Sequence, residues 1–152
     1  MRLLSARSRQ ARFLHGRLSI SNAELDYLTK LDQLDHIGLM AAILHEKQWH
    51  NVGVGCAIRL SPDSNVAEVA LAVLDGYQAI GIGTCLLERF AELAASTGIT
   101  YFQVVYAYGN EAIDHMVSRI GAVVTESEGG VGVRLIKLGQ IIRDLKIKSD
   151  QI

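Results

Sequence analysis

The apolar positions of this chain follow two spacings in turn. Ser21 and Glu24 stand at capping-box separation, and Leu25, Leu28 and Leu31 follow at helical intervals. That pattern predicts a helix over about 22–31. From His36 to Glu46 the run HIGLMAAILHE is of strand type. The polar stretch EKQWHN is expected to turn the chain. VGVGCAIRL, Val52 to Leu60, then reads as a second strand, whose glycines suggest close backbone approach. SPDSN, Ser61 to Asn65, is a strong turn, and VAEVALAV, Val66 to Val73, a third strand. Strands joined by such short turns predict an antiparallel meander.

Beyond Val73 the helical spacing returns. Leu86, Leu87, Phe90, Leu93 and Ala94 share one face of a helix over about 82–97, and Gly98 stands where a C-terminal cap belongs. TYFQVVYA, Thr100 to Ala107, is rich in aromatic and β-branched residues and reads as a strand. Asn110 caps a further helix carrying Ile113, Met116, Val117 and Ile120, closed by Gly121. AVVTES and VGVRLIKL form a hairpin around Gly129 and Gly130, and the tail from Gly139 to Ile152 reads as a short helix with a basic end. The strand–helix–strand unit over 66–107 requires a crossover and favours parallel pairing. The predicted fold is therefore α/β, of the α+β type. A mixed sheet carries the meander first and the β-α-β unit second, with helices on both faces.

Composition narrows the picture. The 152 residues suit a single domain, with one proline, Pro62, and no Gly/Ser-rich linker. Hydrophobic residues at 49% against 20% charged describe a globular chain. Fifteen basic residues against 16 acidic ones give no hint of nucleic acid. Cys56 and Cys85 are too few for a disulfide framework, so a cytoplasmic setting is expected. No apolar run nears the roughly 18 residues that a membrane span needs. Arg2, Arg7, Arg9, Arg12 and Arg17 precede the first acid, Glu24. Such a start fits a transit peptide or the solvated basic face of a helix.

Gly81 and Gly83 lie between the third strand and the helix after it. A dinucleotide fingerprint needs a third glycine at position 86, which is Leu86, and a Walker loop needs a lysine that is missing after Gly83. What is left is Gln78-x-x-Gly81-x-Gly83. Its backbone N–H groups and the helix N-terminus could hold a pyrophosphate, and glycines would let the backbone come close. A tight strand–helix turn fits the same residues.

The wider sequence resembles the GNAT superfamily of N-acetyltransferases over roughly residues 8–138. VLDGYQAIGIG resembles its acetyl-CoA pyrophosphate loop, and YGNEAIDHMVSRIGA its later helix between an asparagine and a glycine. LSISNAELDYLTKLDQLDHIGLMAAI, with Ala67-Glu68-Val69-Ala70 ahead of the loop, is similar to the GNAT domains of bacterial protein lysine acetyltransferases.

The resemblance implies acetyl-CoA as co-substrate, no metal, and a primary amine as acceptor, either a small molecule or a protein lysine. It implies that Gln78, Ala79, Ile80, Gly81, Ile82, Gly83 and Thr84 hold the pyrophosphate by backbone amides. Leu71 and Val73 would pair with the pantetheine arm as an added strand does, Asn110 would meet its thioester end, and Glu68 would be the general base. An alkylammonium with pKa near 10.4 needs such a base before it can attack. Amides near Val73 would steady the oxyanion.

Departures are expected to matter. The tyrosine of many superfamily members, seven residues after the asparagine, is here Val117. Tyr106, Tyr108 and His115 are the nearby candidates for a general acid. Ile80 replaces a frequent basic residue, for which Arg89 could compensate. No counterpart of the superfamily's first strand is expected upstream, so the N-terminal segment rebuilds that edge, a partner covers it, or it stays exposed and invites a homodimer. Cys85 at a helix start could be a nucleophile or packing, and Trp49 a contact for a substrate. His45-Glu46-x-x-x-His50 has one residue too many for a zinc motif on a helix. A non-catalytic domain that binds acyl-CoA stands as the alternative to an enzyme.

Overall fold

The computed structural model describes residues 30–107, 109–128 and 130–149. Strands β1 (His36–His45), β2 (Gln48–Arg59) and β3 (Val66–Val73) come first. Helix α1 (Ile82–Ala95), β4 (Tyr101–Ala107) and α2 (Glu111–Arg119) follow, then β5 (Val123–Glu128), β6 (Val131–Lys137) and α3 (Leu138–Ser149). The six strands form one sheet in the order β1-β2-β3-β4-β6-β5. All pairs are antiparallel except β3 with β4, the pair that the crossover predicts.

The β1–β2 turn is tighter than its polar sequence suggests. Glu46 and Lys47 alone make it, both at positive φ (48° and 64°). Two residues of that conformation match the twist of the flanking strands, so the ladder runs to its tip. Gln48 to Asn51, expected as loop, are exposed strand residues. At the other end of the meander, helix α1 stops at Ala95 rather than 97. Thr97 N–H bonds the carbonyl of Ala94 and tightens the last turn, while Gly98 takes φ +83° and releases the chain. Of the expected helix over 22–31, residues 22–29 lie outside the described residues, and Lys30 and Leu31 are not helical.

One face of the sheet is apolar and carries the described helices. Phe90, Leu87 and Ala91 of α1 are fully buried there with Phe102 of β4 and Ile136 of β6, and Ile141 of α3 joins them. Gly55 explains how close α1 comes: a Cβ there would lie 2.7 Å from the Phe90 ring. Each such aromatic burial stabilises by about 1.5–3 kcal/mol. Helix α2 is tied to the same face by a polar network. Arg134 of β6 donates to the Tyr106 phenol (2.7 Å), to Asp114 (2.6 Å) and to Ser118 (3.2 Å). Along β3, Ala67 and Val69 are buried on the helix side, whereas Glu68 is exposed on the opposite face.

A second polar cluster closes the sheet at the start of β3. Arg59, with only 10% of its side chain exposed, donates to Asp35 (2.6 Å), to the Ser64 carbonyl (2.5 Å) and to the Thr97 carbonyl (2.6 Å). It thus joins the β2–β3 turn to the C-terminal end of α1. The Asn65 carbonyl accepts from the amides of Thr100 and Tyr101, which brings the start of β4 beside the start of β3.

Candidate functional site

The parallel pair is short. Val66, Ala67 and Glu68 face Tyr101, Phe102 and Gln103, and no further rung follows, although β3 runs on to Val73 and β4 to Ala107. The strands part and leave a wedge between their C-terminal halves. On its other side β3 stays paired with β2 as far as Val73. The edge of β3 over 69–73 therefore turns to the wedge without a strand partner. Each strand also leads into a helix at this end, α1 through residues 74–81 and α2 through 108–110. Crevices at the C-terminal ends of parallel strands are where sheets of this kind take their ligands.

The loop after β3 is held from below. Leu74 N–H bonds the Val52 carbonyl, and Asp75 to Tyr77 make one 3-10 turn. Gln78 donates its side-chain amide to the Val73 carbonyl (3.0 Å) and to Asp75 (3.1 Å), and its backbone N–H reaches the Asp75 carbonyl at 3.4 Å. Gln78 is thus a brace of the loop. It also occupies the carbonyl of Val73, one of the groups implied for an added strand.

Above this brace the chain is unengaged. Ala79 stands at φ +61° and Gly81 at φ +94°. The first backbone bond of α1 runs from Cys85 N–H to the Gly81 carbonyl (2.9 Å). Among the described residues, the amides of Ala79, Ile80, Gly81, Ile82, Gly83 and Thr84 donate to nothing. The N-cap Gly81 has no side chain to offer, and no acid sits in the first turn of α1. Helix α2 differs: Asn110 accepts from Ile113 N–H (3.3 Å), and Glu111 and Asp114 lie in its first turn. One helix start is capped and offset by acids, and the other leaves its donors and its positive end without either.

The glycines fit that reading. A Cβ on Gly81 would meet nothing within 4 Å, and one on Gly83 only Val73 at 3.9 Å. Packing within the protein does not demand Gly83. Its bare backbone keeps the space over the amides clear. A diphosphate fits this donor set, since each of its oxygens accepts hydrogen bonds.

The other expected site residues are distributed as follows. Leu71 and Val73 are half-buried on the α1 side of β3, with their backbone at the wedge. Asn110 caps α2 with its side-chain carbonyl, which accepts from Ile113 N–H. Glu68 stands on the last rung before the wedge, on the face away from α1, with Ala70 and Ala72 beside it. From Glu68 to Val73 the strand covers roughly 16 Å at about 3.3 Å per residue. Val117 is fully buried in the core. Tyr106 is 5% exposed, lies over Gly132 on the β6 side, and has its phenol committed to Arg134 and Asp114. His115 is exposed on α2, and Tyr108 lies outside the described residues. Ile80 is 69% exposed. Arg89 pairs with Glu92 (2.6 Å), which holds its guanidinium in the charged form, and faces β1 rather than the loop. Cys85 is exposed beside it in a cleft of about 200 Å³ with Leu39 and Met40. His45 and His50 stand edge to face across the β1–β2 hairpin, 6.1 Å apart. No cluster of three or more metal-binding side chains occurs among the described residues.

Two features were not foreseen in the sequence: the left-handed Ala79 and the rung that sets Gln103 beside Glu68. The single polar residue inside the apolar strand YFQVVYA was the available signal for the second.

No protein-family model matches the chain. It is similar to the acetyltransferase Pat of Mycolicibacterium smegmatis, with 27% identity over 117 residues, or 73% of this chain and 33% of that protein. The chain thus spans about a third of the length of that relative. The crystal structure of the GNAT domain of S. lividans PAT superposes with a TM-score of 0.78 at 24% identity, covering 89% of this chain and 79% of that one. The structure of yncA from Salmonella typhimurium with its cofactor acetyl-CoA gives 0.68 at 16%, covering 88% and 84%. The fold is that of GNAT domains.

Proposed function

We propose that this chain, which has the GNAT fold and is similar in sequence to an acetyltransferase, is an acetyl-CoA-dependent N-acetyltransferase that acts on a primary amine. The observation that carries the reading is the set of unengaged amides from Ala79 to Thr84, placed at the head of a wedge between parallel strands. Acetyl-CoA is the donor class that fits both parts. Its diphosphate suits the amides, and its amide-bearing arm suits the unpaired edge of β3.

The residues divide the work. Ala79 to Thr84 hold the diphosphate. The backbone of Leu71 and Val73 aligns the arm, and the Asn110 NH2 meets its far end. The bound thioester supplies an activated acetyl group. Glu68 takes a proton from the incoming ammonium, directly or through one water, and the free amine attacks the thioester carbonyl. Amides on the open edge of β3, nearer Glu68 than Val73 is, face the oxygen on which charge gathers. The thiolate leaves without a committed acid among Val117, Tyr106 and His115, because the first is apolar and the second is held by Arg134. Neither Cys85 nor a metal enters this route.

The finer reading is a protein lysine as acceptor, supported by the likeness to Pat and by the place of Glu68 on an exposed face beside small residues. A homodimer through the β1 edge and a cytoplasmic setting belong to the same proposal. Cys56 and Cys85 are not joined in a disulfide, as a reducing compartment would keep them.

Thiol release from acetyl-CoA, with and without an Nα-blocked lysine peptide, tests the activity. Glu68→Gln is expected to bind acetyl-CoA as the parent does and to lose turnover by about 100-fold or more. Unchanged turnover would remove Glu68 from the mechanism. A domain that binds acyl-CoA without catalysis is the second reading, favoured by Val117 in the core and by the engaged Tyr106. Heat on binding CoA without release of thiol to any amine would select it.

A further inference from the structure

Gln103 is the partner of Glu68 on the last rung of the β3–β4 ladder, at the apex of the wedge. In a parallel pair, such partners project from the same face of the sheet, with their strands about 4.8 Å apart. Glu68 is exposed and Gln103 half-buried. Neither side chain has a hydrogen-bond partner among the described residues. The Glu68 partner on the other side is Ile58, and Ala70 and Val66 flank it along β3. The Gln103 carboxamide is not among the buried groups that lack a partner, so water reaches it and its donors are open to a neighbour. The nearest side-chain acceptor in its register is the Glu68 carboxylate.

We infer that Gln103 is a positioning residue for Glu68, an inference that rests on the reading of Glu68 as base. Its carboxamide N–H donates to one carboxylate oxygen and fixes the direction of the other, which is left to take the proton of the amine. Both side chains are flexible and otherwise unengaged, so the bond requires only torsional rotation. Ile58 offers no competing donor. The placement also accounts for why the ladder ends where it does. The last rung holds Glu68 at the apex of the wedge, and the strands separate beyond it.

The test has a spectroscopic arm and a kinetic arm, both on the full chain. The side-chain NH2 resonances of Gln103, assigned by their loss in Gln103→Leu, are expected to move when Glu68 is replaced by Ala. Resonances indifferent to residue 68 would overturn the pairing. In the kinetic arm, with acetyl-CoA and an Nα-blocked lysine peptide, Gln103→Leu is expected to lower kcat about ten-fold while KM for acetyl-CoA stays within about two-fold. Gln103→Glu, which sets a second carboxylate on the rung, should lose at least as much. An unchanged kcat in Gln103→Leu, or a loss shared equally by KM and melting temperature, would show a residue without a positioning role. Failure of the base reading is separable, because it shows as full turnover in Glu68→Gln itself. That result would strip Gln103 of catalytic weight whatever its resonances do.

Discussion

The two ends of β3 are built to opposite rules. At its start, polar groups are engaged. Arg59 donates to a carboxylate and two carbonyls, the Asn65 carbonyl takes two amides, and Thr97 bonds the Ala94 carbonyl. At its finish, a run of amides is left open and β4 has parted from the strand. The same strand and the same helix serve both ends. Polar bonds are concentrated where α1 stops, and under the proposed function binding lies where α1 begins. The division is physically sensible, since unused donors at a helix start weaken the fold slightly and attract an anion strongly.

The comparison can be broken at its stable end first. Arg59→Met keeps the aliphatic stem but leaves the Ser64 and Thr97 carbonyls and Asp35 without their donor. A loss of about 3 kcal/mol in unfolding free energy is expected from those charge-assisted bonds, read by denaturant titration. Affinity for CoA per folded molecule should not change. A parallel loss of affinity would mean that the two ends are coupled through β3.

The open end should respond in the reverse sense. Gly83→Asp places a carboxylate in the first turn of α1, where a Cβ meets only Val73. An acid there favours the helix, so melting temperature should hold or rise. The same charge opposes a diphosphate, and affinity for CoA should fall about 100-fold, or roughly 2.7 kcal/mol. Calorimetry and thermal melting on one sample read both signs. Retained affinity would place the diphosphate elsewhere.

A smaller effect lies at the entry to β1. Asp32 accepts from the amides of Leu34, Asp35 and His36 at 2.8–2.9 Å. The bond from His36 leads the causes that hold its carboxyl below the ordinary 3.8. A group with a lowered folded pKa adds stability above its unfolded value and loses it as pH falls through the folded one. Asp32→Asn should therefore melt slightly below the parent near neutral pH. The gap should close as pH drops below about 3.8. A constant gap at every pH would show that the charge is irrelevant there.

Much of this was legible in the residues, and the failures have physical causes. The strand Val66–Val73 and the start of α1 were placed to the residue, because the glycine loop and the SPDSN turn bound them on both sides. The β1–β2 turn was drawn too wide. Polarity marks exposure, and Gln48 to Asn51 are exposed within a strand, while the turn itself depends on backbone torsions that Glu46 and Lys47 do not advertise. The loop was located from Gly81 and Gly83, but its division was not: Gln78 braces it with a side chain, and only the amides beyond it stay open. Glu68 could be singled out as the only acid of its strand. Its rung partner could not, since pairing between parallel strands depends on register across a helix. Tyr106 looked available as an acid until Arg134, distant in sequence, was seen to hold it.

Ala79 carries one more consequence. An alanine at φ +61° sits in a torsional well that ordinary residues avoid, at a cost of about 1–2 kcal/mol. A glycine would occupy it more easily but would also wander when the ligand is away. The methyl group narrows that wandering, so the curvature proposed to receive the anion exists without it. Less ordering would then remain to be done at the moment of capture, and that saving, not a release of strain, would tighten association.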